Sequence, residues 1–213
     1  MRVRWIGLTL AFVLLGLAAG YGIGTLRNDE PTTFTAAGPV PASDPSIPVL
    51  PTPSFATDIT YPTLQPGLEY QPHTIGTADY RWQYDVPVGW APYDRAFVEL
   101  RWRPPDEPEA GGYSLRVKII NAHLPTADMV AQKVIALDVL YDDVDVLERT
   151  DNMLAFSYRD PFTDRQRYNT FMWFTAPGST TADFEMSVVG RRIDQVGLED
   201  LREQVAASIT KLD

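Results

Sequence analysis

Four basic side chains in two short alternating runs form the most prominent chemical pattern in this 213-residue sequence. Arg101 and Arg103 alternate with apolar residues in one run, and Arg116 and Lys118 do so in the next. Side chains two positions apart lie on the same face of a β-strand, so all four bases share one face if the two strands pair. Such a face can bind an anionic ligand or a partner protein, or it can form ion pairs with carboxylates.

Aromatic and acidic side chains elsewhere in the sequence leave both interpretations open. Tyr168 and Trp173, in a later predicted strand, would add aromatic surface to a site for an anionic ligand or a partner protein. Glu99 and Glu185 would instead pair with the bases and leave a structural ladder of ion pairs. The candidate binding residues are therefore Arg101, Arg103, Arg116, Lys118, Tyr168 and Trp173.

The sequence offers few side chains for metal binding or nucleophilic catalysis. Its two histidines, His73 and His123, lie far apart in the chain, and it contains no cysteine and no Gly-x-Ser-x-Gly motif. The acidic run at residues 141–151 lacks the glycine and glutamate spacing of an EF-hand loop, and it is interpreted as a solvated turn. We therefore expect no catalytic residue, no metal and no cofactor.

Pairs of carboxylates keep one enzymatic alternative open. Asp85 with Asp94, or Glu99 with Glu185, would suit a carboxylate-dependent hydrolase or transferase if the two groups faced each other about 5 to 10 Å apart. The sequence does not define that separation. A hydrolase or transferase of the cell envelope is therefore the alternative to a binding protein.

Hydrophobic periodicity predicts three strands, a helix, four strands and a final helix after residue 78. Alternating apolar residues place three strands near residues 80–84, 98–102 and 113–119. Four more strands, separated by turn signals, are expected near residues 144–150, 152–158, 167–176 and 183–191. We expect the first three strands to form a meander. The predicted fold class is α+β, with one antiparallel sheet of six to seven strands and helices packed on its faces.

Local signals also predict the helix ends and one corner of the chain. Thr126 is the expected N-cap of the first helix, with Asp128 in the first turn, where a carboxylate suits the helix dipole. Apolar side chains from Leu198 to Leu212 recur at helical spacing and predict the second helix. The Pro-x-Gly-Trp sequence at residues 87–90 predicts a corner in which Trp90 covers the end of the sheet.

The first 27 residues are typical of a membrane anchor. Residues 6–26 form an uncharged, mostly apolar run of 21 residues, which as a helix spans roughly 31 Å and can cross a bilayer. Arg2 and Arg4 precede this run, so we expect residues 1–4 in the cytoplasm, a transmembrane helix at residues 5–27 and the rest of the chain outside. A cleaved signal peptide is the alternative, and it gives the same extracytoplasmic location.

Three glycines in this run are spaced four residues apart. Gly16, Gly20 and Gly24 would line one helix face and allow a second helix to approach closely. Glycine is also common in membrane helices in general. A helix-mediated dimer is therefore one possible arrangement in the membrane.

Residues 28–77 have the composition of an extended linker, and the charge of the chain limits its partners. This segment contains ten prolines and no lysine or arginine, and we expect it to hold a domain at residues 78–213 away from the membrane. The whole chain has a net charge of −10. Nucleic acid is therefore excluded as a partner, because its recognition requires a basic surface.

Short runs in the predicted domain resemble a known group of proteins. These runs are Val-Pro-Val-Gly-Trp at residues 86–90, Gly-Gly-Tyr-Ser-Leu-Arg-Val-Lys-Ile at 111–119 and Phe-Glu-Met-Ser-Val-Val-Gly-Arg-Arg at 184–192. Together with the closing amphipathic helix, they are similar to PsbP-like and LpqN-type domains of extracytoplasmic actinobacterial proteins. Unlike typical LpqN-type lipoproteins, this chain has no cysteine for a lipid, so a membrane helix would replace the lipid anchor.

The resemblance implies a role in the cell envelope. Domains of this kind are mostly binding or assembly modules, and the resemblance implies no catalytic activity. We therefore expect a single-pass membrane protein with an extracytoplasmic binding or assembly domain, whose partner is an envelope protein or a glycan.

Overall fold

The computed structural model describes residues 54–108 and 111–212. The strands are β1 (Tyr70–Ile75), β2 (Trp82–Pro87), β3 (Ala91–Ala96), β4 (Glu99–Arg103), β5 (Ser114–Ile119), β6 (Asp142–Arg149), β7 (Met153–Arg159), β8 (Gln166–Phe174), β9 (Phe184–Arg191) and β10 (Thr210–Lys211). The helices are α1 (Thr126–Leu140) and α2 (Gln195–Ser208). Short 3-10 helices precede β2 at Ala78–Tyr80 and precede α2 at Arg192–Asp194.

The strands form two antiparallel sheets rather than one. The larger sheet has seven strands in the order β3-β4-β5-β9-β8-β7-β6, and the smaller sheet has three strands in the order β1-β2-β10. The fold class is α+β, as predicted, and the six strands from β4 to β9 lie close to their predicted positions.

The expectation that the first three predicted strands form a meander is wrong. Strand β2 pairs with β1 and β10 in the smaller sheet, whereas β4 and β5 belong to the larger sheet. A further strand, β3, lies between β2 and β4 in the chain and pairs with β4. The chain leaves the smaller sheet and enters the larger one between Pro87 and Ala91. Strand β3 does not pair with β2, because β1 and β10 already occupy both edges of β2.

The Pro-x-Gly-Trp sequence forms the corner at which the chain changes sheets. The amide of Trp90 donates to the carbonyl of Pro87 over 3.1 Å, and Gly89 has a φ of +84°, which a residue with a side chain adopts only at a cost. Trp90 is 9% exposed, and its ring lies 5.9 Å from that of Tyr113 in a stacked arrangement. The corner therefore buries Trp90 inside the protein.

Helix α2 packs against one face of the larger sheet and against the smaller sheet. Its buried residues Leu198, Leu201 and Val205 belong to the same apolar cluster as Leu115 and Val188 of the sheet. Burying one such side chain stabilises the fold by about 1.5 to 3 kcal/mol. The predicted second helix is corrected at its end: α2 stops at Ser208, because Thr210 and Lys211 pair with β2.

Helix α1 covers the opposite face of the larger sheet. Val130 and Leu137 of this helix pack in a second cluster with Phe156 and Trp173. Thr126 is not the N-cap that the sequence predicts: Pro125 is in that position, and no side chain caps the helix. A proline immediately before the first turn leaves no side-chain oxygen to accept from the helix amides.

Residues 54–77, part of the predicted linker, are ordered along the domain in this structure. They include β1, an edge strand of the smaller sheet in which Pro72 is tolerated because one side of the strand needs no donor. Leu64 is 4% exposed and belongs to the apolar cluster beneath α2. The apolar side chains of this segment therefore contribute to the core.

The predicted membrane anchor lies outside the described residues, as do Gly16, Gly20 and Gly24. Within residues 54–108 and 111–212, neither helix has the length and hydrophobicity needed to cross a membrane.

Candidate functional site

The predicted basic residues do lie together on paired strands. Arg101 of β4 is opposite Arg116 of β5, and Lys118 is opposite Glu99. They occupy the face of the larger sheet that α1 partly covers, next to Glu185 of β9, which is opposite Lys118. We call Glu99, Arg101, Arg116, Lys118 and Glu185 the charged cluster.

Arg116 lies at the centre of the charged cluster and bridges two carboxylates. Its guanidinium donates to Glu99 through Nε and Nη2 over 2.8 and 3.0 Å, and to Glu185 through Nη1 over 2.6 Å. Arg101 donates to Glu99 from the other side over 3.0 Å. The pKa of Glu99 is lowered to about 2, and the main cause is the hydrogen bonding from Arg116.

Only part of the predicted binding set meets in the charged cluster. Trp173 joins it, because its indole Nε1 donates to Glu185 over 2.8 Å. Tyr168 does not, because it lies on the opposite face of β8 in the cluster beneath α2. Arg103 lies at the far end of β4, with its guanidinium 4.5 Å from the ring centroid of Tyr93.

This geometry favours the structural interpretation of the charged cluster. Glu99 and Glu185, together with Asp94 at 3.6 Å from Arg101, offset the charges of the three bases, which leaves little free positive charge for an anionic ligand. Glu99 and Glu185 share Arg116, and a carboxyl with a pKa of about 2 is a poor proton donor at neutral pH. The pair therefore does not support the hydrolase alternative.

Arg116→Gln is expected to destabilise the protein by about 1 to 3 kcal/mol, because it leaves two partly buried carboxylates without their shared donor. Arg101→Gln is the matched control on the adjacent strand. Because the side chain of Arg101 is 42% exposed, we expect this substitution to lower the free energy of unfolding by less than about 1 kcal/mol. Urea unfolding of both variants measures the difference, and equal losses would contradict the central role of Arg116.

A second site, which the sequence analysis missed, is a cavity of about 390 Å³ between the two sheets at one end of the domain. We call it the aromatic cleft. Its apolar lining comprises Tyr80, Trp82, Phe97, Val98, Ile119 and Ile120. Tyr80 and Phe97 are 71% and 74% exposed, which is unusual for aromatic side chains beside a cavity.

Three local features shape the aromatic cleft. The 3-10 helix at Ala78–Tyr80 follows Gly76, whose φ is +87° and where a side chain would collide with the carbonyl of Tyr80. The turn between β3 and β4 presents Phe97. Trp82 is 3% exposed, and its ring lies 5.0 Å from that of Phe184.

Tyr80 was expected in the same strand as Trp82. This expectation is wrong, because Tyr80 belongs to the 3-10 helix, which turns its side chain outward.

Polar groups lie among the lining residues of the aromatic cleft. They are Thr77, Asn121, Asp183 and Lys211. Asp183 accepts from the amide of Ala176 over 2.8 Å, so its carboxylate also supports the loop beside the cleft. An apolar lining with a few polar groups is the usual composition of a ligand site.

A scan against protein-family models and a search of curated proteins found no match for this chain. The fold and the sites are therefore the basis for assigning a function.

The described part of the chain contains no group of three or more His, Cys, Asp or Glu side chains that could hold a metal ion. His73 lies in β1 with its ring 4.5 Å from that of Trp102, and burial lowers its pKa. This histidine is therefore part of the packing between the sheets.

Proposed function

We propose that this protein is a single-pass, membrane-anchored binding or assembly module of the cell envelope, with its α+β domain outside the cytoplasm. The observation that supports binding most directly is the aromatic cleft, which combines a cavity of about 390 Å³ with two exposed aromatic rings. Exposed aromatic side chains around a concave site commonly mark a surface that a partner covers.

The sequence supports the location in this proposal. The uncharged run at residues 6–26 and the arginines before it favour a membrane helix with the domain outside. The similarity to PsbP-like and LpqN-type domains is part of the same proposal and rests on the short runs quoted above.

The cleft favours a partner with an apolar or aromatic surface. Tyr80 and Phe97 offer exposed aromatic side chains to such a surface, and Asn121, Asp183 and Lys211 offer polar groups near it. An exposed segment of an envelope protein has these properties, and so does a glycan whose ring faces stack on aromatic side chains.

A cysteine in the aromatic cleft tests location and binding together, because the chain has no native cysteine. Thr77→Cys is placed in the cleft at an exposed position and leaves both aromatic rings intact. We expect a membrane-impermeant, thiol-reactive photo-cross-linker to label it in intact cells and, on illumination, to attach it to one defined partner. Phe97→Ala in the same background should reduce the cross-linked product at least about fivefold, since one aromatic anchor typically contributes 1 kcal/mol or more.

Val139→Cys is the matched control, because it is 81% exposed on α1 and lies outside the cleft lining. It should be labelled equally well and give no such product. If neither cysteine is labelled in intact cells, the extracytoplasmic location is wrong. If both are labelled and neither gives a product that depends on Phe97, the cleft is not the binding site.

A further inference from the structure

A second, more polar cavity lies on the same face of the larger sheet as the charged cluster, at the opposite end. It has a volume of about 280 Å³ and lies between strands β4, β5 and β8, the loop that follows β4 and the loop between β7 and β8. We call it the arginine pocket, because two guanidinium groups line it. The residues that matter for its chemistry are Tyr93, Arg103, Glu107, Asp160, Thr163 and Arg167.

Arg167 is a buried cation without a carboxylate partner. It is 7% exposed, and its two terminal nitrogens donate to the carbonyls of Gly111 and Gly112. In residues 54–108 and 111–212, no carboxylate oxygen lies within 4.0 Å of its guanidinium. The two carbonyls accept from two of its five N–H groups and supply no negative charge, whereas a buried charge normally has a counter-charge.

Arg103 brings a second uncompensated cation to the same pocket. Its guanidinium lies 4.5 Å from the ring centroid of Tyr93, which fixes its position by a cation–π contact. Like Arg167, it has no carboxylate within 4.0 Å in the part of the chain that the structure describes. The pocket therefore holds two positive charges, one of them fully within the fold.

The two acids of the pocket compensate these charges only in part. Asp160 uses its Oδ1 to accept from the amides of Phe162 and Thr163 and from the Thr163 hydroxyl, over 2.8 to 3.0 Å. Burial raises the pKa of Glu107 to about 7, even though Arg103 and Arg167 act in the opposite direction. Near neutral pH, a large fraction of Glu107 is therefore uncharged.

We propose that the arginine pocket binds a small ligand through one anionic group, a carboxylate or a phosphate, which Arg103 contacts directly and the charge of Arg167 attracts. Planar guanidinium groups are well suited to both kinds of anion. The hydroxyl of Thr163 and the ring of Tyr93 complete the lining around that group. This site is separate from the aromatic cleft and does not depend on the function proposed for it.

Protonation of Glu107 should be coupled to binding at this site. A bound anion repels the Glu107 carboxylate, so binding is strongest when that group is neutral and weakens as it ionises. The other charged or titratable groups that act on Glu107 are Arg103 on β4, Arg167 on β8, Asp194 before α2 and, more weakly, Tyr61.

Calorimetric titration of the full-length protein in an uncharged detergent tests the proposal with sodium acetate and sodium phosphate as probes. We expect saturable binding of at least one of them at pH 6. Arg103→Gln should weaken it at least about tenfold, as expected for the loss of a charge-assisted contact. Arg101→Gln removes the same charge from the same strand and should leave binding unchanged, because Arg101 belongs to the charged cluster. Acetate alone would indicate a carboxylate ligand, and phosphate alone would indicate a phosphate ligand.

The pH dependence gives a second readout that a nonspecific surface charge would not produce. From pH 6 to pH 8, the affinity for an anion that does not itself titrate in this range should fall about tenfold in the native protein. Acetate is such an anion. If acetate is too large to enter the pocket, formate, which is smaller and also fully ionised in this range, replaces it as the probe. In Glu107→Gln the affinity should be nearly independent of pH. The absence of saturable binding by acetate, formate and phosphate would overturn the proposal, and so would equal binding to Arg103→Gln.

Discussion

Replacing Asp194 with asparagine is expected to lower the free energy of unfolding by about 3 to 5 kcal/mol, because it leaves a fully buried arginine without its counter-charge. Arg191 and Asp194 both have 0% exposure, and the Arg191 guanidinium donates to the two carboxylate oxygens over 2.7 and 2.8 Å. The same carboxylate accepts from the amides of Arg191 and Leu64, each over 3.0 Å.

The loss should extend beyond this ion pair, because Arg191 also holds the segment before β1. Its terminal nitrogens donate to the carbonyls of Ile59, Tyr61 and Pro62 over 2.8 to 3.2 Å. If the guanidinium shifts, the carbonyls of this segment lose their donors and Leu64 loses part of its packing. Hydrogen exchange should therefore show faster exchange at Leu64 in the variant than in the native protein.

Asp200→Asn is the matched control for Asp194→Asn. Asp200 also accepts from a backbone amide of the segment before β1, that of Gly67 over 2.9 Å, but at an exposed position. Asp200→Asn removes the same charge and should lower the free energy of unfolding by less than about 1 kcal/mol. Urea unfolding followed by tryptophan fluorescence measures both variants, and a similar small loss in the two would contradict the role assigned to the buried pair.

The native protein should lose stability relative to Glu107→Gln as the pH rises from about 4.5 to 7. Burial raises the pKa of Glu107 from an ordinary value of 4.5 to about 7. Between these values the folded protein keeps a proton that the unfolded chain has released, so raising the pH favours the unfolded chain. Allowing for the partial exposure of Glu107, the accumulated difference should reach about 2 to 3 kcal/mol and level off above about pH 8, where Glu107 is ionised in the folded protein as well.

Unfolding of the native protein and Glu107→Gln at several pH values, in buffers without carboxylate or phosphate, measures this effect. Glu69→Gln serves as the control because Glu69 is exposed, and its stability should follow that of the native protein at every pH. Parallel curves for the native protein and Glu107→Gln would show that Glu107 is not buried in its neutral form.

The strands and helices that the sequence predicted correctly are those with strong local signals. Strands β4 and β5 alternate apolar and polar residues, turn signals separate the strands from β6 to β9, and α1 and α2 place apolar residues at helical spacing. Strand β3 was missed because most of its residues are exposed and do not alternate. Strand β1 was missed because its segment is rich in proline, which an edge strand accepts.

The candidate sites show a similar division. The sequence predicted that Arg101, Arg116 and Lys118 share a face, since that follows from alternation and the pairing of β4 with β5. It did not predict that Arg116 would bridge Glu99 and Glu185, because the order β4-β5-β9 is a property of the sheet. It also placed Tyr168 with Trp173, although their positions in β8 differ by an odd number and they therefore point to opposite faces.

The amino-acid sequence by itself determined the α+β class, the order of most strands and helices, and the net negative charge, because these depend on composition and on neighbours in the chain. Only the tertiary structure decided that the strands divide into two sheets, that the aromatic cleft lies between them, and that Arg103, Arg167 and Glu107 meet in one pocket. Arg167 lies 60 residues after Glu107 in the sequence, and the proximity, burial and shared electrostatics of the three groups arise only when the chain has folded.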